Sequence, residues 1–448
     1  MVRNALTALV TAFILVVVAG CDDNGEPATG ETTFEVRVEN VSTVYDFTSS
    51  GVFDTPVGAG SPGPIGPGQA YEFEVSAAPG SKLSFATMFV ESNDFFYAPG
   101  EAGIPLFEQD GTQVSGDVTS QVMLWDSGTE VNQEPGLGAD QAPRQGGPDT
   151  GATDPDNTVR IAPDDFNNLP AVAEVIQVTV TPISDTRFTV RIENVSDANT
   201  LMTSDMNSTA VPLAPGVFVI HTEDAPLFTV GEPDRGEGLE ALAEDGVAST
   251  LGAALQSRTG VTTPLAPGVW AVHTVSAPLF DEGQADRGEG LEALAEDGVP
   301  AALAMSLMGA TGIESSDVFN TPEGAGAPGP LLPGQAYVFT IQAQPGDRLS
   351  FATMFVQSND LFYSPDESGI ALFDGNGSAI SGDVTAQLML WDAGTEVNEE
   401  PGIGLNQAPR QAAPDTGPDE NGTVRVVNDA FSYPSVAQVI QVTVTPMP

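Results

Sequence analysis

The octapeptide Leu83–Val90, LSFATMFV, occurs again without change at Leu349–Val356. Apolar residues fill both of the faces that such a β-strand would present, which is typical of a central strand covered on both sides. The identity extends outward from this octapeptide. Residues 53–151 align without a gap with residues 319–417, and 66 of these 99 positions are identical. The chain therefore contains a duplicated unit built around a buried strand.

Further repeats extend the duplication on both sides. FEVRVENVS at Phe34–Ser42 is matched by FTVRIENVS at Phe188–Ser196, and the segment VIQVTVTP closes both copies. Apolar and polar residues alternate in the first of these segments, which predicts a half-buried strand. The order along the chain gives two modules, at 33–182 and 187–446.

The second module contains additional material that is itself duplicated. Residues 212–252 recur as 264–304, and both copies contain the identical 14-residue stretch DRGEGLEALAEDGV. Leucines at positions i and i+3, followed by a glycine, predict a short helix after a strand in each copy. We expect both strand–helix units in the second module and neither in the first.

Short strand patterns alternate with loops rich in Pro and Gly, such as SPGPIGPGQ at Ser61–Gln69. Such loops cannot continue a β-ladder, and no long helical periodicity is present. The sequence therefore predicts a mainly β protein. The expected architecture is two tandem antiparallel β-sandwiches, one in each module, with short helical insertions in the second.

Composition excludes several classes of function. The 448-residue chain has 13 Lys and Arg against 62 Asp and Glu, a formal net charge of −49 at pH 7. A surface this negative repels phosphate backbones, which excludes nucleic acid as a partner. The single cysteine excludes internal disulfides, and two histidines do not make a multi-histidine metal centre. There is no Ser-His-Asp order, phosphate-binding glycine loop or zinc motif, so we do not expect an enzyme.

The start of the chain has the features of a targeting segment. A short positively charged start and the apolar run Ala5–Ala19 are typical of a signal peptide, and the run is short for a bilayer span. The run ends in VAGC, which resembles a bacterial lipobox, a signal in which the cysteine becomes the lipid-modified N-terminus. We expect a lipoprotein signal peptide at 1–20, lipidation of Cys21 and a flexible acidic tether at 21–32. This predicts a protein anchored to a membrane of the cell envelope, in the periplasm or exposed at the surface.

Several ordered motifs resemble the spondin N-terminal domain family. WDAGTE at Trp391–Glu396 is similar to that family's Trp-Asp-Ala-Gly-Thr-Asp segment, and SNDLF at Ser358–Phe362 is similar to its Ser-Pro-Asp-Trp-Phe segment. His273–Gly298 is similar to the family's His-Ser segment, which leads into a Glu-Gly-Leu helix. The resemblance implies a C2-like β-sandwich, an adhesive role and a bound calcium ion.

Three acidic residues recur at matching places in both copies. Each aspartate follows an apolar run, so two adjacent strand ends would bring the carboxylates together. Ca²⁺ takes about six to eight oxygen ligands, whereas zinc prefers the Cys and His that these motifs lack. The family's calcium ligands fall on the matching positions. The alternative is a solvated acidic face, which is common in so acidic a chain. The candidate calcium ligands are Asp94, Asp126 and Glu130 in the first module, and Asp360, Asp392 and Glu396 in the second.

The leading hypothesis is a lipid-anchored, calcium-binding adhesion or surface-recognition protein, with an extracellular protein or a glycan as ligand. One alternative is a structural envelope lipoprotein whose sandwiches serve as spacers, and another is an accessory module that binds polysaccharide. We expect Trp125 and Trp391 in the core rather than on a sugar-binding platform. We expect His221 and His273 to bond to a loop backbone rather than to act in catalysis.

Overall fold

The computed structural model describes residues 30–448. The expected signal peptide, Cys21 and nearly all of the expected tether lie outside these residues. The described part of the chain is mainly β, with antiparallel sheets and a few short helices, which confirms the predicted fold class. None of the helices in the described part has the length and apolar character needed to cross a bilayer.

The secondary structure divides into three parts along the chain. The first part comprises β1 (Thr32–Asn40), β2 (Phe47–Phe53), β3 (Ala70–Ser76), β4 (Lys82–Phe89), β5 (Phe95–Pro99), β6 (Ile104–Pro105), β7 (Gly116–Asp117), β8 (Val122–Asp126), β9 (Arg160–Ile161), α1 (Val172–Val175) and β10 (Ile176–Ser184). The second part comprises β11 (Arg187–Asn194), β12 (Leu201–Met202), β13 (Ser208–Thr209), β14 (Leu213–His221), α2 (Leu239–Asp245), α3 (Ala248–Ser257), β15 (Leu265–His273), α4 (Leu291–Asp297) and α5 (Ala301–Leu307). The third part comprises β16 (Ile313–Phe319), β17 (Ala336–Ala343), β18 (Arg348–Phe355), β19 (Leu361–Pro365), β20 (Ile370–Ala371), β21 (Gly382–Asp383), β22 (Leu388–Asp392), β23 (Arg425–Val426), α6 (Val436–Val439) and β24 (Ile440–Pro446).

Sandwich 1 is built from the contiguous stretch between β2 and α3. One of its sheets has the strand order β2-β14-β4-β5-β8-β9, with β6 beside β4. The facing sheet has the order β3-β11-β10-β7. The ladders between these strands are antiparallel. Buried side chains of both sheets, including Phe85 and Phe188, form the core between them.

Sandwich 2 repeats this arrangement with the remaining strands. Its larger sheet has the order β16-β15-β18-β19-β22-β23, with β20 beside β18. Its smaller sheet has the order β17-β1-β24-β21. The second sandwich therefore contains the first strand of the described chain, and sandwich 1 is inserted between β1 and β15.

Strand β4 is covered on both faces, as its sequence LSFATMFV predicts. Phe85 and Phe89 face the core between the two sheets of sandwich 1, and Ala86 faces a second apolar layer. Helices α2 and α3 close this second layer with Leu242, Leu251 and other apolar side chains. Strand β18 is covered in the same way in sandwich 2, by α4 and α5.

The boundaries taken from the sequence, 33–182 and 187–446, differ from this organisation. The first strand–helix unit, at 212–252, provides β14 and α2 to sandwich 1, so that sandwich does not lack the unit. Each sandwich has one such unit, and helices cover both sandwiches rather than only the second. The unit 264–304 lies in sandwich 2, as expected. In order of segments, sandwich 1 is therefore a circular permutation of sandwich 2.

Chain order suggests that β1 belongs to sandwich 1 and the related strand β11 to sandwich 2. In the structure, β11 lies in sandwich 1 and β1 in sandwich 2. A tight connection after Ser184 places β11 beside β10, where it also pairs with β3. Local hairpin pairing closes a short loop, so it has a smaller entropy cost than pairing with a distant strand. Since β11 fills this position in sandwich 1, β1 pairs instead with β17 and β24.

Equivalent asparagines fix the ends of these two strands. The Asn40 amide group donates to the carbonyl oxygens of Thr263 (2.8 Å) and Leu331 (2.9 Å) in sandwich 2. The Asn194 amide group donates to the matching carbonyls of Ile65 and Val211 in sandwich 1. Both asparagines are fully buried, so these hydrogen bonds set the register of each strand in its own sandwich.

This division of strands predicts where a core mutation acts. Phe34 and Phe188 occupy matching positions of β1 and β11 and are both fully buried. Each change to Ala leaves a cavity and should lower the free energy of unfolding by about 3–5 kcal/mol. By hydrogen exchange, Phe34→Ala should lower protection in β17 and β24, and Phe188→Ala in β3 and β10. Loss of protection in β3 and β10 on changing Phe34 would contradict the strand assignment.

Candidate metal centre

The predicted aspartates of sandwich 1 lie together at the ends of two neighbouring strands. Asp94 immediately precedes β5, and Asp126 is the last residue of β8. The two strands are paired, with Phe95 opposite Asp126. Both carboxylates are fully buried, and the charge of Asp126 acts on Asp94. Asp360 and Asp392 are placed in the same way in sandwich 2.

Only one of the two carboxylate oxygens of Asp94 has hydrogen-bond partners among residues 30–448. Its Oδ2 accepts hydrogen bonds from the backbone N–H groups of Thr129 (3.0 Å) and Glu130 (3.1 Å), and from the Ser127 hydroxyl (3.1 Å). Its Oδ1 is buried and has no hydrogen-bond partner among the described residues. In sandwich 2, Oδ1 of Asp360 is also buried without a partner. A buried polar atom without a partner is costly, so its repetition in both sandwiches points to a missing ligand.

Asp126 has partners for both of its carboxylate oxygens. Oδ1 accepts from the Gly128 N–H at 2.7 Å. Oδ2 accepts from the amide of Asn132 at 2.9 Å and lies 2.8 Å from a guanidinium nitrogen of Arg160. Asp392 is held in the same way by Gly394, Asn398 and Arg425 in sandwich 2. The carboxylate oxygens of Asp126 and Asp392 therefore already have protein partners. The negative charges of these two residues still act on Asp94 and Asp360.

Glu130 is held in place by a loop that approaches it closely. Its Oε1 accepts from the Gly151 N–H at 2.6 Å, and its Oε2 accepts from the amide of Asn93 at 3.1 Å. A Cβ atom at position 151 would overlap the Glu130 carboxylate, so this close approach requires glycine. The loop that carries Gly151 also carries Asp149, and it brings that second acidic residue to the same place.

Helix α2 brings two more glutamates to this site. Gly238 precedes the helix and Gly246 ends it, both with positive φ. Leu239 and Leu242 are buried against the sheet. Glu240 and Glu244 are four residues apart and so share one side of the helix. Glu244 is only 2% exposed, and its Oε1 has no hydrogen-bond partner among the described residues.

Together these acidic residues form acidic cluster 1, which consists of Glu130, Asp149, Glu240 and Glu244. Oxygens of Glu130, Asp149 and Glu244 lie within 4.8 Å of one another. Glu240 lines a cavity of about 200 Å³ together with Glu130 and Asp149. Among the described residues, no Lys or Arg forms a salt bridge with any member of the cluster.

Sandwich 2 contains the equivalent acidic cluster 2. Oxygens of Glu292, Glu296 and Asp415 lie within 4.8 Å of one another, and Glu396 takes the place of Glu130. Oε1 of Glu296 is buried without a partner, like Oε1 of Glu244. Acidic cluster 2 consists of Glu292, Glu296, Glu396 and Asp415.

The environment of both clusters disfavours negative charge in the absence of a cation. Burial and the charge of Asp126 raise the pKa of Asp94 to about 7. Burial, with Glu130 and Glu240 nearby, raises the pKa of Glu244 to about 8. The pKa values of Asp360 and Glu296 are raised to about 7 and about 8 for the same reasons. A bound cation would reverse these shifts, because it stabilises the carboxylates in their charged form.

The residues of each cluster fit a calcium ion. All donor atoms are carboxylate oxygens, the ligand type that Ca²⁺ prefers, and His and Cys are absent from both clusters. Within acidic cluster 1, Glu244 has a buried oxygen without a partner. Asp94, whose charge acts on Glu244, has a second such oxygen outside the cluster. Calcium would screen the repulsion among these carboxylates and hold the loop, the strand end and the helix together.

The sequence identifies only part of this arrangement. Glu244 and Asp149 lie on a helix and a loop far along the chain from Asp94, so spacing alone does not connect them. One available signal is the identity of the two DRGEGLEALAEDGV segments, which contain Glu244 and Glu296. Another is PDTG, which is present in both copies and contains Asp149 and Asp415. The metal role of the six predicted ligands stays a prediction.

The histidines and tryptophans have the structural roles expected of them. Nδ1 of His221 lies 2.5 Å from the Glu223 carbonyl oxygen, and its Nε2 lies 2.9 Å from the Ser84 hydroxyl. His273 bonds in the same way to Val275 and Ser350. Trp125 is buried, and its indole N–H donates to the Ala98 carbonyl at 3.2 Å.

Trp391 matches Trp125 in sandwich 2. It is fully buried against Phe280 and Phe362, and its indole N–H donates to the Ser364 carbonyl at 3.1 Å. Neither indole is therefore a platform for stacking a sugar.

Comparisons with known proteins add no relative to this description. A search against models of protein families and a search of curated proteins both found no match.

The raised pKa values predict how stability depends on pH in EDTA. Between pH 6.5 and 8.5 the folded chain holds protons on Asp94, Asp360, Glu244 and Glu296 that the unfolded chain has already lost. The free energy of unfolding must therefore fall as pH rises through this window. Buried His221 and His273, whose pKa values are lowered by burial, reduce stability only below about pH 6.5.

Thermal melting in EDTA at several pH values measures this dependence. The melting temperature should fall steadily from pH 6.5 to 8.5, and the Glu244→Gln/Glu296→Gln chain should show a smaller fall. An unchanged melting temperature across the window would show that the carboxylates are not desolvated.

Proposed function

We propose that the protein is a calcium-binding recognition protein of the cell envelope, in which each sandwich binds one calcium ion at its acidic cluster. The observation that carries this proposal is the pair of buried oxygens without partners, on Asp94 and Glu244, repeated on Asp360 and Glu296. Glu244 and Glu296 each belong to a group of carboxylates that forms no salt bridge with Lys or Arg among the described residues. The proposed calcium explains both features.

The proposed ion has a structural role, because the cluster joins three separate parts of each sandwich. Glu130 follows a strand end of the larger sheet, Asp149 belongs to a long loop, and Glu244 belongs to the helix that covers the sheet. Calcium would fix the loop and the helix against the sheet. The surface that these elements form would then keep one shape at the calcium concentrations found outside cells.

The recognition role rests on the resemblance to the spondin N-terminal domain family, which implies adhesion through a C2-like sandwich. An extracellular protein or a glycan would be the ligand. We propose no catalytic activity. Attachment to a membrane through lipidated Cys21 completes the proposal and rests on the lipobox-like sequence.

Two alternatives lead to different observations. A spacer lipoprotein without ligands would leave the buried oxygens of both clusters without partners, at a cost in stability. A polysaccharide-binding module would need an exposed aromatic platform, and burial of Trp125 and Trp391 removes the two candidates considered for it. The calcium-binding role is therefore favoured over both.

Calcium titration of the chain from residue 22 onward tests the site. Calorimetry should show two bound ions per chain, and the melting temperature should rise. At a hundredfold excess of calcium over Kd the stabilisation per site is about 2.7 kcal/mol. Glu244→Gln should remove one ion and Glu296→Gln the other. Asp185→Asn removes a charge from an exposed hairpin turn and serves as the control, with two ions retained. Absence of saturable binding at millimolar calcium would contradict the proposal.

Fractionation of cells that express the protein tests the anchor. The mature protein should partition with membranes, and Cys21→Ala should either release it to the soluble fraction or leave it unprocessed. A variant that is processed and partitions like the wild type would contradict lipidation at Cys21.

A further inference from the structure

Strand β1 occupies a central position in a sandwich from which it is far removed in sequence. It lies between β17 and β24, and Phe34 is opposite Ile341 on one side and Pro446 on the other. Phe34, Val36 and Val38 are fully buried in the core of sandwich 2. Without β1, the smaller sheet of sandwich 2 would be split, leaving an open groove between β17 and β24. We call this space the β1 groove.

The β1 groove recognises a defined strand sequence. It takes three inward apolar residues in alternation and ends at the carbonyls that bind Asn40. The matching space in sandwich 1 takes the related strand β11, whose Asn194 makes the same contacts. The chain therefore builds the same strand-binding groove twice, and each groove selects a strand of the pattern Phe-x-Val-x-(Val/Ile)-x-Asn.

The connections of β1 and β11 differ. Strand β11 is attached to β10 by a tight hairpin and continues into the rest of sandwich 1, so it is fixed in its own sandwich. Within the described range, β1 is the first element, and only residues 41–46 join it to β2. Val44 in this connection is 67% exposed, while Tyr45 is held by the Thr262 hydroxyl. Once its two ladders have opened, β1 can therefore reach another molecule if the connection at residues 41–44 rearranges.

We propose that β1 is an exchangeable strand, so that the β1 groove of one copy binds β1 of a second copy of this chain. The ladders and core contacts are the same whether β1 comes from its own chain or from another, so the two arrangements differ mainly in chain connectivity. Protein concentration then determines how much of the exchanged form is present. Residue order favours exchange during folding, because β1 is synthesised long before β17 and β24. In that interval β1 has no groove in its own chain, and it can enter the β1 groove of a neighbouring chain whose own β1 is not yet paired.

Burial between two strands makes later exchange slow. Both ladders of β1 must open before it can leave, and three buried side chains must be exposed to water. The distribution of monomers and strand-exchanged copies is therefore set when the chains fold together. Concentration during refolding is the variable that should control it.

Disulfide trapping tests the exchange on chains from residue 22 onward, which retain every described residue and lack Cys21. Glu35 of β1 and Thr445 of β24 are paired and exposed. One chain carries Glu35→Cys and another carries Thr445→Cys. The two are unfolded, mixed, refolded together and oxidised. Exchange gives a disulfide-linked dimer on a non-reducing gel.

Matched controls come from sandwich 1, where Thr189 of β11 is paired with Thr181 of β10 at the homologous positions. Chains carrying Thr189→Cys and Thr181→Cys should give at least tenfold less linked dimer under the same conditions. The double variant Glu35→Cys/Thr445→Cys, refolded at high dilution, shows that the pair can form a disulfide within one chain. If the double variant forms its disulfide but the mixed single variants give no linked dimer, the proposal is overturned. Equal dimer yields for the β1–β24 mixture and the β11–β10 control mixture would also overturn it.

Peptide competition identifies the groove as the contact. A tenfold excess of a peptide with the sequence of residues 31–42, added during refolding, should lower the dimer yield several-fold. A peptide of the same composition in scrambled order should leave the yield unchanged. A dimer that resists the first peptide does not form through the β1 groove, and that result would also overturn the proposal.

Discussion

Pairing of β1 between β17 and β24 is the interaction on which the arrangement of this protein depends. A sandwich sheet cannot leave a central strand position empty, because two rows of backbone hydrogen-bonding groups and an apolar core would then face water. The chain contains two strands that suit two equivalent positions. The β10–β11 hairpin fills one position locally, and this leaves the other to β1. That choice makes sandwich 1 an insertion within sandwich 2.

The sequence predicts the individual strands better than it predicts which strands pair with one another. Alternation in Phe34–Ser42, the doubly apolar Leu83–Val90 and the Pro- and Gly-rich loops correctly predict a mainly β, antiparallel fold. Chain order then suggests modules that the structure does not have. The strands β1 and β11 have nearly the same sequence, so the sequence of neither strand indicates to which sandwich it belongs. Loop closure decides that question, and it depends on the whole chain rather than on any local pattern.

The candidate site shows the same limit. Asp94 and Asp126 are found from sequence because each follows an apolar run, and strand ends of one sheet lie close together. Glu130 is found because this acidic residue recurs at the matching place in the other copy, as Glu396. Glu244 comes from a helix of a unit that chain order assigns to the other module, so its place beside Glu130 follows only from the correct pairing of β14 with β4. The correct assignment of strands thus also defines the acidic clusters. Asp126, prominent in the motif, instead uses its oxygens to bind Arg160 and backbone groups.

Insertion of one sandwich into the other also determines how the molecule carries mechanical load. The start of β1 lies beside the end of β24, where the Met447 N–H donates to the Thr33 carbonyl. Tension applied at Gly30 and Pro448 would peel these two strands apart from their shared end, one hydrogen-bonded pair after another. Sandwich 1 is attached by two adjacent segments, 41–46 and 258–264, which are bonded to each other. Sandwich 1 therefore lies outside the path of the force and would stay folded while sandwich 2 unfolds.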